Sequence, residues 1–88
     1  MSKEVHVNFY TKIGCPLCDK GKAVLLELSE TYNLKIEDID IYKDDVLLEK
    51  YQIMIPVVEI DGDEVDYGII SKEIVEDYFL SKKNISHL

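Results

Sequence analysis

Residues 5 to 18 read VHVNFYTKIGCPLC, and the spacing of apolar residues changes within that stretch. Val5, Val7 and Phe9 alternate with His6, Asn8 and Tyr10, the period of two that sends successive side chains to opposite faces of a strand. A loop over residues 11 to 14 leads to Cys15-Pro16-Leu17-Cys18, and from Pro16 the period becomes 3.6. Leu17, Cys18, Gly21, Val24, Leu25, Leu28 and Tyr32 then share one face, with Asp19, Lys20, Lys22, Glu27 and Glu30 outside it. This predicts an amphipathic helix from Pro16 to about Tyr32. Proline suits its first position, where the missing N–H would have had no partner and the fixed φ is already helical. Leu26 falls off the main face, so a second element is expected to cover it.

Outward from this strand-to-helix switch the alternation continues. Ile36, Ile39 and Ile41 mark a second extended segment near residues 35 to 41, and Asp44-Asp45 gives an acidic start to a short helix carrying Val46, Leu47 and Tyr51. Pro56-Val57-Val58-Glu59-Ile60 and Glu64-Val65-Asp66-Tyr67 flank Asp61-Gly62-Asp63, and an Asp-Gly between two β-rich runs predicts a hairpin. Ser71 can cap a last helix whose apolar face is Ile74, Val75, Tyr78 and Phe79, and residues after about 82 read as a frayed tail. The order is βαβαββα. The first two strands, joined through a helix, should be parallel and the last pair antiparallel, which predicts an α/β fold with a four-stranded mixed sheet flanked by three helices.

At 88 residues and 47% apolar composition the chain suits one core, so residues 1–88 are expected to form a single domain. No run approaches the roughly 18 apolar residues of a membrane span, and the N-terminus lacks a basic start followed by an apolar stretch. A cytoplasmic protein with no membrane partner is the expectation. Eighteen acids against ten basic residues, all lysine, leave a net charge of −8 and no basic surface for a phosphate backbone, which argues against nucleic acid. Residues 10 to 22 are the exception, with Lys12, Lys20 and Lys22 against Asp19 alone. Both cysteines of the chain lie in that basic island.

A lone close pair of cysteines in a reducing compartment points to redox chemistry or a metal rather than to a structural framework. A purely structural disulfide would close a tiny loop and constrain little of the unfolded chain. A tetrahedral zinc site needs four ligands, and only His6, which alternates with Val5 and Val7 as an ordinary strand residue, and His87 in the tail remain. For redox work the two sulfurs are unequal. Cys15 sits at the helix start, where unpaired N–H groups and the positive dipole end favour a thiolate, and the three lysines add positive charge. Cys18, on the edge of the apolar face, is the more shielded. The reading is an exposed nucleophile at Cys15 and a resolving partner at Cys18.

The strand, the Lys-Ile-Gly-Cys-Pro-Leu-Cys loop, the helix and the later Ile55-Pro56 before a hairpin resemble a glutaredoxin, over Val5 to about Leu80. The family motif is usually Cys-Pro-Tyr-Cys, so Cys15, Pro16 and Cys18 match and Leu17 replaces the tyrosine. The resemblance implies a thioredoxin-like fold, a cis bond before Pro56 facing the cysteines, and a substrate thiol peptide paired to the backbone of Ile55. It also implies that Lys12 contacts a glutathione carboxylate. Glutaredoxins typically follow the hairpin with Gly-Gly and an Asp pair that hold the γ-glutamyl end of glutathione; here Asp66-Tyr67-Gly68-Ile69-Ile70-Ser71 keeps only Gly68. Tyr67 is bulky where the backbone should approach, Asp66 would repel a carboxylate, and Ser71 could hold an anion at the helix start. The pattern is similar to small bacterial glutaredoxin-like proteins with paired cysteines and an incomplete glutathione site.

The expected function is therefore a dithiol thiol–disulfide oxidoreductase. Cys15 and Cys18 are its catalytic pair, and Lys12, Pro16, Leu17, Ile55, Pro56 and Gly68 line the substrate or glutathione site. No bound cofactor or metal is expected; glutathione is a candidate reductant. The partners are a disulfide-containing protein or glutathione and a reductase system, with the protein acting as a monomer. Two other readings stay open: a metal or iron–sulfur carrier that uses Cys15 at a dimer interface, and a non-catalytic adaptor.

Overall fold

The structure, a computed structural model, describes residues 4–85. Its elements are β1 (Val5–Thr11), α1 (Pro16–Leu28), β2 (Leu34–Asp40), a 3-10 turn (Ile41–Lys43), α2 (Asp45–Tyr51), β3 (Val57–Ile60), β4 (Asp63–Tyr67) and α3 (Lys72–Ile85). They build the predicted four-stranded mixed sheet, in the order β2-β1-β3-β4. β1 and β2 run parallel, with Val7 opposite Ile36, and β1 pairs antiparallel with β3, with Phe9 opposite Val58. β3 and β4 form the predicted hairpin, with an irregularity between Val58 and Glu59. Asp61 and Gly62 both take positive φ, 52° and 87°, the two-residue turn that matches strand twist and that Asp-Gly favours.

Alternation along β1 divides the core between the two faces of this sheet. Val7 and Phe9 join Val58, Ile60, Leu25, Leu28, Ile70, Val75, Phe79 and both cysteines in one cluster, which α1 and α3 cover. Tyr10 points the other way, into a smaller cluster with Ile41, Tyr51 and Val57. Asp44 caps α2, its carboxylate accepting the N–H groups of Val46 and Leu47 at 2.9 and 3.3 Å. Ser71 caps α3 more loosely, accepting the N–H of Ile74 at 3.4 Å.

Several local expectations are corrected. α1 ends at Leu28, one turn before Tyr32, because Ser29 turns its hydroxyl onto the Leu26 carbonyl at 2.6 Å and the chain then bends to enter β2. Tyr32 still packs inward, stacked on Phe79 with ring centroids 4.8 Å apart. β2 closes at Asp40, whose carboxylate takes the Tyr42 N–H at 2.9 Å and starts the 3-10 turn at Ile41. Among the described residues no second element covers Leu26, which is 52% exposed. Leu17, Val46 and Ile74 also stand out from their expected apolar faces, because each helix meets the sheet along a line narrower than its apolar arc. α3 runs to Ile85 with no Gly or Pro to stop it, past the expected fraying point near 82. The remainder of the expected tail, with His87, lies outside the described residues.

Candidate active site

β1 delivers the chain to the site and Gly14 turns it, with φ of +77° that an L side chain rarely adopts. Cys15 follows as the extended N-cap of α1, and Pro16 occupies the first turn. Cys15 and Cys18 are joined in a disulfide, their Cα atoms 5.1 Å apart. The Cys18 N–H donates to Cys15 Sγ at 3.2 Å, and the Asp19 N–H donates to the Cys15 carbonyl at 3.1 Å. Cys15 therefore takes the capping place that a Ser or Asp side chain fills in other helices, with sulfur as acceptor. The predicted exposure of Cys15 is not found in this oxidised state: Cys15 is 8% and Cys18 3% exposed. Their bond draws Cys15 Sγ over the first turn of α1. The order of shielding is as predicted.

A second segment completes the site. The Ile55–Pro56 bond is cis, and Pro56 is buried. The Gly68 N–H donates to the Pro56 carbonyl at 2.8 Å and to the Met54 carbonyl at 3.1 Å, so Gly68, at φ +72°, ties the loop after β4 to the proline segment. From the other side the Tyr51 carbonyl accepts the N–H groups of Met54 (2.8 Å) and Ile55 (3.1 Å). Of the Ile55 backbone that the resemblance implies meets a substrate, the N–H is thus engaged within the protein. Ile55 packs against the cluster that holds both cysteines, as a member of the loop layer above it.

The match to known proteins decides the family. Residues 6–81 match the family described as Glutaredoxin-like domain (DUF836). The chain belongs to the glutaredoxin-like domain family. In solved structures its fold is similar to protein Ne2328 from Nitrosomonas europaea, determined by solution NMR, with a TM-score of 0.79 at 21% identity over 89% of this chain and 94% of that one. It is also similar to a mutant thioredoxin from Halobacterium salinarum, with a TM-score of 0.65 at 21% identity over 88% of this chain and 73% of the other. A structure titled as a malarial protein gives a TM-score of 0.67 at 14% identity, covering 90% and 97% of the two chains. These likenesses establish a thioredoxin-like fold.

On this glutaredoxin-like frame one of the three lysines of the basic stretch has a partner among the described residues. Lys22 is paired with Asp38 on β2, Nζ to carboxylate at 2.6 and 2.8 Å, so its charge is answered from another element. Lys12 borders a cavity of about 400 Å³ beside Cys18 that also meets Asp19, Asp38 and Asp40. Lys22 lines it too, so the basic stretch of the sequence borders a hollow of mixed charge in the fold. His6 is exposed on β1, and among the described residues no group of three or more His, Cys, Asp and Glu could hold a metal ion.

One residue at the site was missed as a structural element. Asp66 Oδ2 accepts the Ser71 N–H at 2.8 Å, and Oδ1 accepts the Tyr67 N–H at 2.9 Å. Its carboxylate therefore closes the loop from β4 to α3 and answers an amide at the helix start. Ile70, within this loop, packs in the cysteine cluster. The signal was an Asp five residues ahead of a Ser-capped helix start, which periodicity does not weigh.

Proposed function

We propose that this glutaredoxin-like protein is a dithiol thiol–disulfide oxidoreductase, acting on a protein disulfide or a glutathione mixed disulfide. The observation that carries it is the Cys15–Cys18 disulfide at the N-cap of α1, with Cys15 Sγ receiving a backbone N–H. In the reduced protein the same N–H and the positive helix end favour the Cys15 thiolate over the thiol, at about 1.4 kcal/mol for each unit by which its pKa falls.

The reaction balances in two exchanges. Cys15 thiolate attacks one sulfur of the substrate disulfide, an S–S bond forms between them, and the other substrate sulfur leaves as a thiolate. Cys18 thiolate then attacks Cys15 Sγ, re-forms the Cys15–Cys18 bond and releases the second substrate thiol. The two electrons come from the protein dithiol, which glutathione or a reductase system restores. Ile55, its N–H engaged by Tyr51, would align the incoming segment through its carbonyl beside Pro56. Lys12, Pro16, Leu17 and Gly68 would frame the same approach.

The test is disulfide reduction driven by glutathione with glutathione reductase, run beside the same reduction driven by thioredoxin reductase. Turnover in one arm identifies the electron donor, and Cys15→Ser should abolish it. Full turnover by Cys15→Ser would overturn the proposal.

A further inference from the structure

The strand register brings three loops to one end of the sheet. Tyr10 pairs with Val57 and Val57 with Tyr67, so the loop after β1, the segment before β3 and the loop after β4 all open on the side where the disulfide lies. Ile13 stands 91% exposed there, Ile53 92%, Ile69 78%, Tyr67 60% and Leu17 41%. Single exposed apolar residues are ordinary on a protein surface. Their collection around the redox disulfide of a chain with net charge −8 is not.

The charge at this end points the same way. Amides at a helix start are where a carboxylate would ordinarily be received. Here the Ser71 and Tyr67 N–H groups are already taken by Asp66, at 2.8 and 2.9 Å, in the loop that Gly68 ties to Pro56. Lys12, the cation in the loop ahead of Cys15, borders two hollows and Asp40 lines both. A thiol bearing carboxylates would meet the Asp66 carboxylate on one flank and, on the other, a hollow where Asp19, Asp38 and Asp40 outnumber Lys12 and Lys22, and like charges brought together weaken association. An apolar segment would cover the rim and find no such opposition.

Resting on the oxidoreductase reading above, we infer that the substrate is a protein disulfide whose flanking residues are apolar and neutral or cationic. Asp66 is the specificity-determining residue that turns away carboxylate-bearing thiols such as glutathione. The occupant is set by continuity: Ile13 and Leu17 flank Cys15 in the chain, Tyr67 and Ile69 flank the Gly68 that is tied to Pro56 and Met54, and Ile53 precedes Met54.

The experiment measures the rate at which the reduced protein is oxidised by four disulfides, in acid-quenched time courses. They are bis(2-hydroxyethyl) disulfide, glutathione disulfide, the disulfide of glutathione diethyl ester, and a capped peptide with Leu and Val beside a cysteine joined to 2-mercaptoethanol. With the hydroxyethyl rate as the common reference, the peptide should exceed glutathione disulfide by about tenfold or more, and the ester should exceed the free acid. Asp66→Asn should raise the glutathione ratio by about threefold or more, and about 0.5 M salt should do part of the same in the unmodified protein. Ile53→Ser combined with Ile69→Ser should lower the peptide ratio.

Glutathione disulfide reacting as fast as the peptide, or ester and free acid reacting alike, would overturn the inference while leaving the oxidoreductase reading in place. The ester comparison needs no variant, so it decides the matter even if Asp66→Asn does not fold. Failure to react with any of the four, hydroxyethyl disulfide included, would overturn both.

Discussion

The two faces of the sheet are built from neighbouring residues and do different work. Phe9 and Tyr10 are adjacent, yet Phe9 lies in the cluster with Cys15 and Cys18, and Tyr10 in the cluster beneath α2. The first face brings the sulfurs against hydrocarbon, and its hydroxyls, those of Tyr32 and Tyr78, belong to side chains only partly buried at its edge. The second has polar tips: Asn8 and Tyr10 both donate to Glu59 Oε1, at 2.9 and 3.0 Å, and the Tyr51 hydroxyl donates to Glu64 at 2.6 Å. The Tyr51 carbonyl on that face holds Met54 and Ile55, and Ile55 packs against both clusters. One face thus carries the redox pair while the other fixes the proline segment opposite it. The difference teaches that a site at the end of a sheet can draw its reactive groups and its positioning groups from opposite faces.

Substitutions on the two faces should separate these tasks. The largest effect is expected from Leu25→Ala, fully buried behind the cysteine pair, which should cost about 2–5 kcal/mol of unfolding free energy in a urea titration. Gly21→Ala should come next. Its Cβ would stand 2.9 Å from Ile70 Cγ1 and 3.1 Å from the Phe9 ring, so overpacking of about 1–3 kcal/mol outweighs a gain of up to about 1 kcal/mol in helix propensity. Disulfide exchange should slow with it, because Ile70 belongs to the loop at the site. Stability unchanged or raised in Gly21→Ala would break the assigned packing of α1 on that loop.

On the second face, Tyr51→Phe removes the bond to Glu64 and should cost about 0.5–1.5 kcal/mol in the same titration. The backbone carbonyl that holds Ile55 is retained, so exchange rates should change less than in Gly21→Ala. The last effect concerns alkali. Burial, and then the hydrogen bond to Glu59, push the Tyr10 hydroxyl up to about 12. The folded state therefore holds this proton more tightly than the unfolded chain, so the stability it contributes is complete below pH 10 and lost as the pH rises through about 12. Tyr10→Phe should flatten stability over that interval; an unchanged slope would break the assignment.

The fold and the cysteine pair were legible because they depend on local pattern. Period-two residues before Thr11, a proline at a helix start and Asp61-Gly62 between two β-rich runs each act within a few residues. What was not legible depends on partners far away in the chain. Lys22 reads as a free cation until β2 brings Asp38 to it, sixteen residues on. Asp66 reads only as a charge that repels; its second task, closing the loop with its oxygens on the Tyr67 and Ser71 amides, is set by the fold. The exposure of Leu17 and Leu26 depends on how narrowly α1 meets the sheet, which periodicity along one helix does not contain.

The central claim is the division of labour between the two sulfurs, and trapping the half-reaction tests it most directly. Reduced Cys18→Ser protein mixed with bis(2-hydroxyethyl) disulfide should accumulate one mercaptoethanol adduct by intact mass, mapped to Cys15 by peptide digestion, with Cys15→Ser forming it far more slowly. Rapid adduct formation at Cys18 in Cys15→Ser, with little at Cys15 in Cys18→Ser, would contradict the account.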